Sequence, residues 1–150
     1  MALNPALINQ TYEAIKSATM RTPTVHAARL SLHLGIDLYL KLENLQHTNA
    51  FKARGALAKL LTLTDAQRRA GVIACSAGNH AQGVAYSCSA LKIQGTIFMP
   101  AITPRQKVNK VKKFGDGFVD IVHRQRHAGA GILVHLVLDH LPVVADELDA

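Results

Sequence analysis

An α/β fold, a parallel twisted sheet with flanking helices, is what the sequence predicts, and two features of residues 71–122 carry that prediction. Three short apolar runs, GVIAC at 71–75, GTIFMP at 95–100 and FVDIV at 118–122, read as buried strands. Between them stand NHAQGVAYSCSALK, with its helix start at Asn79, and TPRQKVNKVKKFG, with Thr103 as N-cap, Pro104 in the first turn and Gly115 at the end. A β-α-β-α-β order of this kind implies parallel strands covered by helices.

The elements before residue 71 follow from local chemistry. Asn4 and Pro5 are an N-cap and a first-turn proline, and Leu7, Ile8, Tyr12 and Ile15 form an apolar helical stripe. That helix should end before RTPT, because the residue preceding Pro23 is pushed out of the α region. A short helix over 27–34 should stop at Gly35. DLYLKLE alternates over Leu38, Leu40 and Leu42, the pattern of a strand. A helix over 51–61 and a short one after Thr64, a candidate N-cap, complete the series. After Val122 the periodicity is lost. Residues 1–122 are therefore read as one unit and 123–150 as a divergent tail.

At 150 residues, with 49% hydrophobic and 18% charged residues, the chain can bury a core and is not of a disordered composition. No apolar run approaches the ~18 residues of a membrane span. MALNPALINQ has neither a basic lead nor an apolar core, so a secretory signal is not expected there. Two cysteines, Cys75 and Cys88, are too few for a disulfide framework, and a reducing, cytoplasmic compartment fits them. The net charge of +7 raises the question of nucleic acid. Its only tight cluster, RQKVNKVKK at 105–113, has no interleaved aromatic residue and reads as the solvated face of a helix. No nucleic-acid partner is expected. Of His123, His127, His135 and His140, the first two share the i, i+4 spacing of hydrolytic zinc sites, but the full pair-plus-carboxylate arrangement is missing, and no metal is expected either.

Two stretches invite a chemical reading. In TNAFKARGA, Lys52 stands at a helix start, where the positive end of the dipole disfavours its charge, and Ala50 and Phe51 would desolvate it. Such a lysine is fit to act as a nucleophile, although a surface lysine lying along apolar neighbours has the same local sequence. SAGNHAQG, 76–83, follows a buried strand and opens a helix, the place where α/β sheets bind ligands. Gly78 permits close approach, and the N–H groups of the helix start can hold a carboxylate or phosphate. A plain β-α turn capped by Ser76 or Asn79 would look the same. MPAITPRQK, taken alone, is explained by capping.

Together the stretches are more specific than any one of them. TPT…LYLKLENLQHTNAFKARGA, ACSAGNHAQGVA and FMPAITPRQK stand in the order and spacing of the fold-type II pyridoxal-phosphate enzymes. From about Ile8 to Val122 the chain resembles the threonine dehydratases (threonine ammonia-lyases) of that tryptophan-synthase-β-like group, in the branch that serves isoleucine synthesis. The resemblance implies the cofactor pyridoxal 5'-phosphate, held covalently by Lys52. It implies that Phe51 packs against the cofactor ring and that Asn79 hydrogen-bonds the cofactor's phenolic oxygen. Ser76, Ala77, Gly78, Asn79 and His80 would form the loop that binds the substrate carboxylate. The implied reaction is β-elimination of L-threonine, or of L-serine, with the Lys52 amine removing the α-proton and 2-oxobutanoate and ammonia as products from threonine. Racemases of the group carry a serine base where this sequence has Ala77.

Two departures qualify the resemblance. The family has serine before Phe-Lys and often glycine before that, where this chain has Ala50 and Asn49. The family's chain is about twice as long, and its glycine-rich phosphate loop lies beyond residue 122, where this sequence diverges into HRQRHAGAG as a frameshift or truncation would leave it. A weakly cofactor-binding chain is therefore expected. The alternatives are a non-catalytic remnant, or a serine dehydratase, racemase or related catabolic dehydratase. Association of copies into a homo-oligomer stays open.

Overall fold

The computed structural model describes residues 4–124 and 143–144. Helix α1, Pro5–Ile15, starts where expected: the Asn4 side chain accepts from the Ala6 N–H at 3.0 Å, with proline in the first turn. Strand β1, Thr24–His26, comes next, then α2, Ala28–Leu34, which ends at Gly35 in the left-handed region at φ 68°. Strand β2, Tyr39–Lys41, pairs antiparallel with β1. It is shorter than DLYLKLE, because the chain tightens into a 3-10 turn over Glu43–Leu45. Strand β1 was not expected from the sequence: its three residues, all exposed, have no buried face to impose a period.

Helices α3, Lys52–Leu61, and α4, Asp65–Ala70, follow. The start of α4 is a full capping box, in which Thr64 accepts from Gln67 N–H and the Gln67 side chain accepts from Thr64 N–H. The larger sheet then assembles from β3, Val72–Cys75, β4, Gly95–Pro100, β5, Val119–Arg124, and β6, Val143–Val144. Their spatial order is β5-β4-β3-β6 and every pairing is parallel, as the β-α-β-α-β order requires. The crossovers are α5, Asn79–Leu91, and α6, Arg105–Gly115.

The core lies between this sheet and α3, α5 and α6. Leu57 and Leu60 of α3 and Val84, Ala85 and Cys88 of α5 are buried, as are Ile97 and Met99 of β4 and Val108 and Val111 of α6. Burial pushes the Cys88 thiol up to about 12, so it behaves as a small apolar filler. The apolar stripe expected on α1 is buried only at Ile15; Leu7, Ile8 and Tyr12 are exposed or nearly so.

The cap expected for α6 is corrected. Thr103 does not cap α6: its hydroxyl donates to the Pro100 carbonyl at 2.7 Å, closing the turn at the end of β4, and the cap position falls on Pro104 with no side-chain cap. Gly115 stands at the end of α6, as expected, and Asp116 after it takes the left-handed position at φ 44°. Gly115 is needed for space, since a Cβ there would lie 2.8 Å from the Val119 Cβ.

Candidate active site

Lys52 is the first residue of α3, half-buried, and its Nζ lies 5.8 Å from the centre of the neighbouring Phe51 ring. Phe51 itself is 62% exposed, so the residue expected to pack on a cofactor ring offers its face outward. The turn leading into α3 is stiff. Asn49 sits at φ 57°, a region open to glycine and, among other residues, most readily to asparagine. The position at which the family often has glycine is thus held by the side chain that best tolerates the same backbone. The Asn49 amide also donates to the Asn44 carbonyl at 3.0 Å, and Asn49 N–H donates to the Gln46 carbonyl at 2.7 Å. Ala50, in place of the family's serine, is buried.

Behind Lys52 stands an ion pair that sequence reasoning missed. Arg54 grips Glu43 through two bonds, Nε to Oε2 and a terminal nitrogen to Oε1, each 2.8 Å, and it also donates to the Met20 carbonyl at 2.8 Å. The Thr22 hydroxyl donates to Glu43 as well. The Arg54 hydrogen bond, helped by Thr22 and by the charges of Arg54 and Lys41, outweighs burial and holds the Glu43 carboxyl at about 2, against its ordinary 4.5. Gln46, buried, accepts from Met20 N–H at 2.8 Å and donates to its carbonyl at 2.9 Å. Three segments, 19–22, 43–48 and the first turn of α3, are therefore tied together by polar contacts. Glu43 and Arg54 are eleven residues apart, and no local period signals such a pair.

The second half of the site lies at the carboxyl end of β3. Ser76, Ala77 and Gly78 form the connection into α5 and are half-buried. The Ser76 hydroxyl accepts from Gly78 N–H at 3.3 Å, and the α5 cap position falls on Gly78 with no side-chain cap, so neither Ser76 nor Asn79 caps the helix. A Cβ placed on Gly78 would meet nothing within 4 Å, which leaves open space in front of the loop. Asn79 is exposed at the first turn; His80 is half-buried, with its Nε2 inside. His123 lies at the end of β5, whereas His127, His135 and His140 fall outside the described residues.

What brings the halves together is Gly83. A Cβ there would lie 3.0 Å from the carbonyl carbon and oxygen of Lys52 and 3.1 Å from Ala53 N, so α5 touches the backbone of α3 at the lysine itself. Gly83 is four residues beyond Asn79, on the same face of α5 and about one turn along it. The backbone of the lysine turn therefore lies against α5 one turn beyond the loop. A glycine within an otherwise good helix was the signal available in the sequence.

The family described as pyridoxal-phosphate dependent enzyme matches residues 15–137. The chain belongs to that family. The biosynthetic L-threonine dehydratase of Bacillus subtilis (strain 168) is 48% identical over 115 residues, 77% of this chain and 27% of the relative. That of Lactococcus lactis is 45% identical over 114 residues, with 76% and 27% covered. Among solved structures, the processed form of threonine deaminase isoform 2 from Solanum lycopersicum superposes with a TM-score of 0.66 at 32% identity, covering 83% of this chain and 37% of that one. Maize serine racemase superposes with a TM-score of 0.77 at 30% identity, covering 85% and 38%. The fold is that of the fold-type II pyridoxal-phosphate enzymes. The chain spans about a quarter of the length of the dehydratases it matches. Among the described residues no helix is long and apolar enough to cross a membrane, and no cluster of three metal-ligating side chains occurs.

Proposed function

We propose that this chain carries the lysine-bearing helix and the carboxylate loop of a threonine ammonia-lyase, within residues 1–122, with 123–150 as a divergent segment. The observation that carries the reading is the contact of Gly83 with Lys52, which sets a half-buried lysine beside the start of α5. The donor set suits pyridoxal 5'-phosphate and an amino acid. An amine stands at one side, and at the other a 13-residue helix with no side-chain cap directs its first N–H groups at the space before Gly78.

When bound, the cofactor supplies an electron-withdrawing ring that stabilises negative charge at the substrate's α-carbon. Lys52 would hold the cofactor covalently through Nζ, and the same amine, when free, would take the substrate's α-proton. Phe51 would pack against the cofactor ring, and the Asn79 side chain would donate to its phenolic oxygen. The Ser76 hydroxyl and the N–H groups from Ala77, Gly78, Asn79 and His80 orient the substrate carboxylate. The α-proton and β-hydroxyl of L-threonine would leave together as water, and hydrolysis of the released imine by a solvent water would give 2-oxobutanoate and ammonia; L-serine is the other substrate of the right chemistry. Ala77, with a methyl side chain, offers no base on the opposite face, which favours elimination over racemisation.

Incubation with pyridoxal phosphate, borohydride reduction and peptide mapping tests the assignment. The label is expected on Lys52 and absent from Lys52→Ala; a label on Lys110 or Lys112 instead sinks it. D-Serine formed from L-serine at a rate comparable to ammonia release would turn the reading toward a racemase. The low cysteine content, Cys75 and Cys88 alone, supports a cytoplasmic location, which cell fractionation would check. Association into a homo-oligomer fits the exposed apolar residues of α1 and α2, and sedimentation would measure it.

A further inference from the structure

We propose that Gly83 is a positioning residue for Lys52: its missing side chain lets α5 abut the Lys52 carbonyl, so the helix that presents the carboxylate loop also sets where the amine stands. The inference rests on the proposed role of Lys52 and deepens it. Three observations carry it. The space for a Cβ at Gly83 is closed by backbone atoms, Lys52 C and O at 3.0 Å and Ala53 N at 3.1 Å, and backbone at a helix start cannot rotate aside as a flexible side chain could. Lys52 and Ala53 lie in the first turn of α3, which follows the hydrogen-bonded turn 46–49 and is tied to Glu43 by Arg54. The α5 backbone is itself fixed at this level, for the Ser87 hydroxyl donates to the Gly83 carbonyl at 2.8 Å and Ala81, Val84 and Ala85 are buried. A methyl group at position 83 must therefore displace the lysine's own backbone by a few tenths of an ångström, and the Nζ at the end of the side chain moves with it.

The same molecule supplies two controls. Gly95 in β4 is as crowded, with a Cβ 2.9 Å from the Cys88 Sγ, but its neighbours there are Cys88, Val119 and Val72 rather than the lysine turn. Gly55 lies on α3 itself and meets nothing within 4 Å. Gly83→Ala, Gly95→Ala and Gly55→Ala, made in the full 150-residue chain, are compared at a temperature where circular dichroism shows each fully folded. Two quantities are read: borohydride-fixed pyridoxal phosphate on Lys52 relative to the other lysines, and amide hydrogen exchange across 52–56. Gly83→Ala is expected to lower selective Lys52 labelling by at least about tenfold and to speed exchange in the first turn of α3. Gly95→Ala is expected to lower the melting temperature while leaving both readouts within about twofold of wild type, and Gly55→Ala to leave both readouts unchanged and raise the melting temperature, since alanine there replaces glycine in an exposed helix interior with room for its methyl group. If Gly83→Ala and Gly95→Ala shift the two readouts equally, the inference is overturned and Gly83 is a packing residue only. Absence of selective labelling in the wild type defeats the role of Lys52 instead, and exchange then decides the role of Gly83 by itself. Should Gly83→Ala fail to fold, wild-type exchange decides: the Arg54 and Ala56 amides, the first of α3 with a backbone acceptor in the turn that carries Lys52, must open together with the middle of α5, and exchange more than about tenfold faster overturns the contact as a constraint.

Discussion

The β3-α5-β4-α6-β5 region and the N-terminal layer of α1, β1, α2 and β2 are held by different forces. In the first, apolar side chains from sheet and helices close on one another, with Leu60, Val84, Ala85, Cys88 and Ile97 out of contact with solvent. In the second, strands β1 and β2 are exposed along their length and Leu32 is 87% exposed. Besides the buried Ile15 of α1, polar bonds fix the N-terminal segments to α3 and α5: Arg54 to Glu43 and Met20, and the Tyr86 hydroxyl to the Ala18 carbonyl at 2.8 Å, while Gln46 braces Met20 from within those segments. The Tyr86 ring also stacks on His47 at 5.3 Å. Apolar burial is indifferent to small rotations, whereas a bidentate ion pair fixes distance and direction. The lysine helix sits at the boundary of the two regions and takes its packing from one and its alignment from the other.

The largest effect should come from the apolar side. Leu60→Ala removes a fully buried side chain and is expected to cost about 2–5 kcal/mol, read as a lower denaturant midpoint at unchanged slope. Arg54→Ala should come next, at about 1.5–3 kcal/mol, because it strips the charged partner from a mostly buried carboxylate and leaves the Met20 carbonyl with the Gln46 bond alone. A cost equal to that of an exposed pair would show the polar joint to be ornamental.

The joint should also show in pH. Glu43 is held at about 2 when folded, below its ordinary 4.5, so it favours the folded state above the unfolded value, and that contribution is lost as pH falls from about 4.5 toward 2. Thermal melts across this window should fall more steeply for wild type than for Glu43→Gln, whose side chain does not titrate. Parallel curves would remove Glu43 from the account of acid stability.

Smaller effects should follow at the turn and at the surface. Asn49→Ala keeps the left-handed backbone but loses the residue type that tolerates it, and should cost about 1–2 kcal/mol, whereas Asn49→Gly should stay close to wild type. Leu32→Ser should change stability by no more than about 0.5 kcal/mol and improve solubility, measured by melting and by light scattering. A large loss of stability there would mean that the N-terminal layer has an apolar core after all.

Several features of the fold were legible in the sequence because they are local. The Asn4-Pro5 start, the Gly35 stop and the Thr64 cap are decided within four residues. The order of apolar runs and helices from Gly71 onward carries its own topology, since parallel neighbours need crossovers. The placing of Lys52 at a helix start and of 76–79 at a strand end was equally local. Strand β1 was not legible, because pairing with β2 creates it and no buried face marks it. Thr103 misled because a hydroxyl that could cap α6 has a nearer acceptor at the end of β4. The Glu43–Arg54 pair and the contact of Gly83 with Lys52 join residues 11 and 31 positions apart, and only the packed chain puts their atoms within reach. By itself the sequence determined the elements and the chemical groups they carry, since propensity, capping and period act over single turns. The distances among those groups were decided by the tertiary structure, since they depend on how closely α5 can approach α3, and that is a property of both surfaces at once.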